Sequence, residues 1–179
     1  TQAKTLFPYT TLFRSWSGQT LSTIEDVAEA TTRINLDGFA AIWPQLDPIT
    51  LGQGPNTVVA FVAPGCPHCQ SLIEQAQRLS DRYRFLLLPI PAGGQGGAII
   101  RALACAADKP AATTAFLRQE SLAGIAQAPG CNIEAAQRRL ITAQLLGVKA
   151  VPWIVRSDGT LSSGMPPDLA AWLAAGSPS

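Results

Sequence analysis

Cys66 and Cys69 stand two residues apart, with Pro67 and His68 between them. That spacing suits a dithiol that cycles with a disulfide. An apolar run, Val58 to Val62, precedes the pair, and a helix-like stretch, Gln70 to Leu79, follows it. A cysteine on such a strand-to-helix turn meets free backbone N–H groups and the positive end of the helix dipole. Both favour the thiolate, so the Cys66 thiol is expected to titrate well below a free thiol; nucleophiles of this type run from about 3.5 to about 7. Cys66 is then the exposed attacking thiolate. Cys69, a turn further on and more buried, resolves the mixed disulfide that forms. His68 has two readings: an imidazole that stabilises the neighbouring thiolate, or a solvated turn residue. The pair as a whole has two others, a structural disulfide or half of a zinc site. A zinc site needs about four ligands, and His68 is the only histidine in the chain. No metal and no cofactor are expected.

Elements must hold these residues, and composition says there is material for them. The chain has 179 residues, of which 47% are hydrophobic and 14% charged. That suits one compact domain with a short extension rather than a disordered chain. The net charge of +1 offers no basic surplus for nucleic acid. No apolar run is long enough for a transmembrane segment. Cys105 and Cys131 make the cysteine count even; if they pair as well, the compartment is oxidising. The chain opens at Thr1 without a charged and apolar leader. The expectation is a mature exported protein, in the periplasm. Residues 1–15 mix Phe7, Tyr9 and Phe13 with Thr and Pro and follow neither period. They are expected to be a non-native or disordered leader without function.

Residues 16–56 read as a helical extension and linker. Leu21 to Ala41 has helical spacing, with Ser22 and Glu25 as a capping box. Asp47 to Asn56 holds two prolines and two glycines and reads as linker. A catalytic domain over residues 57–176 follows. Thr57 to Ala63 is a buried strand, and Cys66 to Leu79 a helix with Leu72, Ile73, Ala76 and Leu79 on one face. Arg84 to Ile90 is a second buried strand. Gly93 to Gly97 lacks the Lys and Ser/Thr of a phosphate loop and reads as a hinge. Ala98 to Ala107, Lys109 to Arg118 and Ile133 to Leu146 are helices, the last with Asn132 as cap and Gly147 as stop. Trp153 to Arg156 is a strand, Ser157 to Thr160 a hairpin turn, and Leu161 part of a further strand. Pro166-Pro167 opens a final helix, Asp168 to Ala174. This order, β-α-β, a helical block, a β-hairpin and α, is that of an α/β thioredoxin fold with a helical insertion over about 98–146.

Three motifs carry a closer likeness. They are Phe61 to Cys69, Ala104 to Lys109 with Cys131 later, and Leu146 to Pro152 with Ser157 to Leu161 and Pro166-Pro167. In this order they resemble the catalytic domain of the DsbC/DsbG family of periplasmic disulfide isomerases, over about two-thirds of the chain. The resemblance implies a cis Pro152, with the Val151 backbone left free to pair with a bound peptide. It implies that Cys105 and Cys131 form a structural disulfide. Closing a loop of that length is worth about 3.5 kcal/mol in the chain-entropy model. It implies partners too: reduced or misoxidised secreted proteins, and a membrane redox partner, either a DsbD-like reductase or a DsbB-like oxidase. Two residues depart from the family. Pro67-His68 resembles a DsbA-type dipeptide, and Val151 replaces the usual Thr, again as in DsbA. A DsbA-like oxidase is therefore the alternative to an isomerase. A non-catalytic assembly or chaperone module of a secretion or conjugation apparatus is another, and a metallochaperone a third. The strand before Cys66 carries no acid to take the Cys69 proton. Glu74, Arg78 and Arg82 read as solvated helix positions, and Trp153 as core. The short region before the domain suggests a monomer, or a dimer through Leu21 to Ala41.

Overall fold

The computed structural model describes residues 41–176, together with 13–14, 20–21 and 33–34. Two short strands come first, β1 (Phe13–Arg14) and β2 (Thr20–Leu21), paired antiparallel with Phe13 opposite Leu21. This corrects two expectations locally. Phe13 and Arg14 fall in the segment expected to lack structure, and Leu21 in the expected helix. Aromatic and β-branched residues such as Phe13 and Thr20 favour extended backbone, and pairing overrides a weak helical period. The rest of the expected leader and helix, including Ser22 and Glu25, lies outside the described residues.

A 3-10 helix, Trp43–Leu46, leads into β3 (Ile49–Leu51). The stretch read as linker thus contains a strand. Pro48 and Gly52 were its misleading punctuation. Proline is tolerated on an edge strand, and β3 is an edge among the described residues: its neighbour there is β5 (Tyr83–Pro89), with Ile49 opposite Leu87. The sheet order is β3-β5-β4-β6-β7, with β4 (Asn56–Val62) in the centre. β4 runs parallel to β5 and antiparallel to β6 (Trp153–Val155), and β7 (Leu161–Ser163) closes the other edge.

Both faces of β4 are buried, and its side chains alternate between two cores as strand geometry requires. Val58, Ala60 and Val62 join one cluster, with Leu72, Ile73 and Ala76 of α1 (Pro67–Arg78) and Leu169 and Leu173 of α5 (Leu169–Ala174). Val59 and Phe61 join the other, with Trp43, Leu46, Trp153 and Ala143 of α4 (Glu134–Leu145). The helical insertion straddles the sheet. α2 (Gly96–Cys105) and α3 (Lys109–Leu117) add Leu103, Ala112 and Phe116 to the first core. The second core takes α4. Gly96 and Gly97 belong to the first turn of α2, so the expected hinge is shorter than Gly93 to Gly97 and the insertion begins earlier than residue 98.

Short polar side chains close the helix starts. Asp108 caps α3 by accepting from the Ala111 N–H at 2.9 Å, and Asp168 caps α5 by accepting from Ala171 at 2.9 Å. Asn132 accepts from the Glu134 N–H at 2.7 Å, one residue before the assigned cap of α4. Gly147 ends that helix at φ 69°, a conformation that carries no Cβ penalty in glycine.

Candidate active site

Topology brings the first cysteine pair to the proline loop. β4 and β6 are antiparallel with Phe61 opposite Trp153. The chain leaving β4 therefore emerges beside the chain entering β6. The first leads to Cys66, and the second is Val151-Pro152, whose peptide bond is cis. The Cys66 Sγ lies 3.7 Å from the Val151 carbonyl oxygen. Gly65, at φ 71°, makes the turn from β4 into α1.

Cys66 is the N-cap of α1, and its sulfur accepts the Cys69 N–H at 3.2 Å. A donor aimed at sulfur from the first turn of a helix stabilises the thiolate. Cys66 and Cys69 are joined as a disulfide, with Cα atoms 5.2 Å apart. Their surroundings differ. Cys66 is half-buried, whereas Cys69 is 1% exposed among Leu72, Ile73 and the rest of the first core. Pro67 occupies the first position of the helix, where its missing N–H costs nothing. Pro67 and His68 are both exposed beside the half-buried sulfur. Val151 is half-buried and touches both cores, and Pro152 is buried. No hydrogen bond among the described residues uses the Val151 N–H.

Trp153 is core, 4% exposed and edge-on to Phe61 at 5.7 Å between ring centroids. Glu74, Arg78 and Arg82 are exposed. Among the described residues the buried polar side chains are two arginines, Arg139 and Arg156, and no carboxylate. Cys69 has no buried acid beside it.

Arg156 was not singled out from the sequence. It is 8% exposed and holds the strand that carries Pro152. Its guanidinium pairs with Asp158 at 2.7 Å, donates to the Trp172 carbonyl, and sits 4.9 Å over the Trp172 ring. Thr160 donates to Asp158 from both its N–H and its hydroxyl, at 3.0 Å each. Burial would raise the Asp158 carboxyl, but the Arg156 and Thr160 hydrogen bonds and the Arg156 charge outweigh it, holding it down to about 2. The hairpin turn at Asp158-Gly159 was the available sequence signal; the arginine that crosses it was not legible.

Cys105 and Cys131 are also bonded, Cα atoms 5.1 Å apart across 26 residues. They lie in the insertion, apart from the sheet end that carries Cys66. Ala106 bridges Gln127 beside them, and the Ala128 N–H donates to the Cys105 carbonyl at 2.7 Å. No group of three or more metal-ligating side chains occurs among the described residues.

No protein-family model and no curated protein sequence matches the chain. Solved structures do. A disulfide interchange protein from Neisseria gonorrhoeae superposes with a TM-score of 0.59 at 21% identity, over 73% of this chain and 96% of that one. The Proteus mirabilis protein ScsC in a compact conformation gives 0.65 at 14% identity, over 84% and 85%. A periplasmic thioredoxin-like protein from Salmonella enterica serovar Typhimurium gives 0.59 at 19% identity, over 80% and 97%. The fold is thioredoxin-like. The expected α/β fold with a helical insertion is therefore the one observed, and Cys66 sits at the helix start of that fold. At these identities the likeness extends to architecture and stops there.

Proposed function

We propose that the chain is a thiol–disulfide oxidoreductase working through Cys66 and Cys69. One observation carries the reading. A half-buried cysteine caps a helix, accepts an N–H at its sulfur, and faces a backbone carbonyl of the Val151-Pro152 loop. In the oxidising direction a substrate thiolate attacks the Cys66 sulfur. The Cys66–Cys69 bond breaks, and Cys69 leaves with the electron pair and takes a proton. A second substrate thiolate then attacks the substrate sulfur of the mixed disulfide. Cys66 leaves as a stabilised thiolate, and the substrate has lost two electrons to the pair. In the isomerising direction reduced Cys66 opens a wrong substrate disulfide, and another substrate thiol displaces it. The unused Val151 N–H supports peptide docking beside the sulfur.

The finer reading is a DsbC/DsbG-type isomerase of secreted proteins, placed in the periplasm and kept reduced by a DsbD-like membrane partner. Three motifs in order support it. The second reading, a DsbA-like oxidase with a DsbB-like partner, is favoured by Pro67-His68 and Val151 at the site itself. Periplasmic placement is supported by the two cysteine pairs and by the likeness to the periplasmic thioredoxin-like protein from Salmonella enterica. No helix among the described residues is long and apolar enough to cross a membrane. Cys105–Cys131 is proposed as structural.

The test is recovery of a scrambled multi-disulfide substrate in mildly reducing buffer, with Cys66→Ala as control. Recovery that needs Cys66 establishes the isomerase. Rapid oxidation of a reduced substrate without recovery establishes the oxidase. Neither activity overturns the exchange reading in favour of an assembly module or a metallochaperone, which metal content after purification separates.

A further inference from the structure

Arg139, on α4, has no part in the chemistry above, yet it is 3% exposed. Its Nη1 donates to the carbonyls of Leu46 at 3.1 Å and Asp47 at 2.8 Å, at the end of the 3-10 helix. Its neighbour Arg138 does a similar task from the surface, donating to the Gln45 carbonyl at 3.2 Å. Bracing that helix end accounts for Nη1 alone. Nε is buried without a partner, and Nη2 donates to nothing among the described residues. No carboxylate lies within ion-pair distance of the guanidinium there. Burial lowers the Arg139 pKa, and the charge of Asp47 only partly offsets that. A largely buried guanidinium whose nearest acid, Asp47, is too far for an ion pair is costly, because it has lost much of its water and gained no contact with an anion.

This cation lines a cavity of about 400 Å³ between β3 and the insertion. Lys109 lines it too, with its ammonium held at the last carbonyls of α2 by bonds to Leu103 and Ala104. Thr50 and Thr113 add hydroxyl-bearing walls, and Asp47 is the single acid of the lining. Two cations against one carboxylate leave a positive balance in a partly enclosed space, where charge pairing is stronger than in bulk water. We propose that this cavity binds a small oxyanion, a carboxylate or a phosphate, paired with Arg139 and Lys109. The site is separate from Cys66, and its ligand completes the charge balance of the insertion.

Thermal unfolding of the full chain at constant ionic strength tests it, with sodium acetate, inorganic phosphate or sodium sulfate replacing chloride. At least one oxyanion should raise Tm saturably where chloride does not; a response to acetate alone identifies a carboxylate ligand, and one to phosphate or sulfate a tetrahedral one. Arg139→Met should weaken binding more than about tenfold, as loss of a charged hydrogen-bond partner does. Should that variant unfold, two surface changes serve instead. Lys109→Ala should weaken binding about threefold, and Asp47→Asn should tighten it by a similar factor. Equal responses to oxyanions and chloride in the unmodified protein, or oxyanion responses untouched by Lys109→Ala and Asp47→Asn, overturn the proposal.

Discussion

The two cysteine pairs differ little in burial. Each has one sulfur-bearing residue in the core, Cys69 at 1% and Cys105 at 4% exposure, and one half-buried partner. They differ in where a helix meets them. Cys66 caps the start of the twelve-residue helix α1, where N–H groups and the positive dipole end favour a thiolate. Cys105 is the last residue of α2, at the end where carbonyls and the negative dipole end disfavour one. Cys66 also faces the Val151 loop, whereas Cys105 is flanked by an Ala106–Gln127 bridge that ties its own loop shut. With burial alike, the position of each pair relative to a helix end is the difference from which unequal reactivity is expected.

The sharpest way to break this contrast is to remove each pair in turn. Cys66→Ala should reduce disulfide exchange to the uncatalysed rate. The double change Cys105→Ala with Cys131→Ala should leave exchange within a few-fold of the unmodified protein, measured on a reduced model substrate. A double variant as inactive as Cys66→Ala would make the insertion pair a second redox couple. The same double variant should be less stable by about 3.5 kcal/mol in urea unfolding, the loop-closure entropy of its long crosslink. The Cys66–Cys69 pair closes a loop of only a few residues, so by the same loop-closure entropy its reduction should move stability about half as much.

A third region sharpens the comparison by acting on neither pair. Asp158 has a folded-state pKa held down to about 2. A depressed carboxylate contributes stability that is present above its ordinary value near 4, and that stability is lost as pH falls towards 2. Asp158→Asn should therefore cost about 1 kcal/mol near neutral pH, allowing for its partial exposure, and the difference should vanish in strong acid. Urea midpoints at several pH values check this. A pH-independent difference would mean that packing, not charge, holds the hairpin. The smallest effect is expected at Val151. Val151→Thr exchanges a methyl for a hydroxyl at a half-buried position beside Cys66, and should change the exchange rate a few-fold while shifting stability by less than about 1 kcal/mol. A loss of fold would show that Val151 serves the two cores it touches more than the sulfur.

Much of the fold was legible where the local pattern was strong. β4, α1, β5 and the insertion helices lie within a few residues of their expected bounds, because apolar periodicity and helix-end residues such as Asn132 and Gly147 are local signals. β3 was missed because Pro48 and Gly52 punctuate it and its strand character comes from pairing with Leu86 and Leu87, thirty-odd residues away. Arg156 and Arg139 were missed for a similar reason. An arginine in a sequence reads as surface, and only packing shows that its charge has been taken out of water.

Residue type and spacing alone determined that Cys66 and Cys69 stand together at a helix start, since two intervening residues, an apolar strand before them and a helical stretch after are enough to say so. They also determined the alternation of strands and helices. What the tertiary structure decided is which residues share the site. The antiparallel register of β4 and β6 sets Val151 and Pro152 beside Cys66 across a gap of 85 residues. Packing of α4 against the 3-10 helix buries Arg139 without an ion pair, 92 residues from the carbonyl it holds at Asp47. Such contacts depend on strand register and helix packing, which are properties of the whole folded chain.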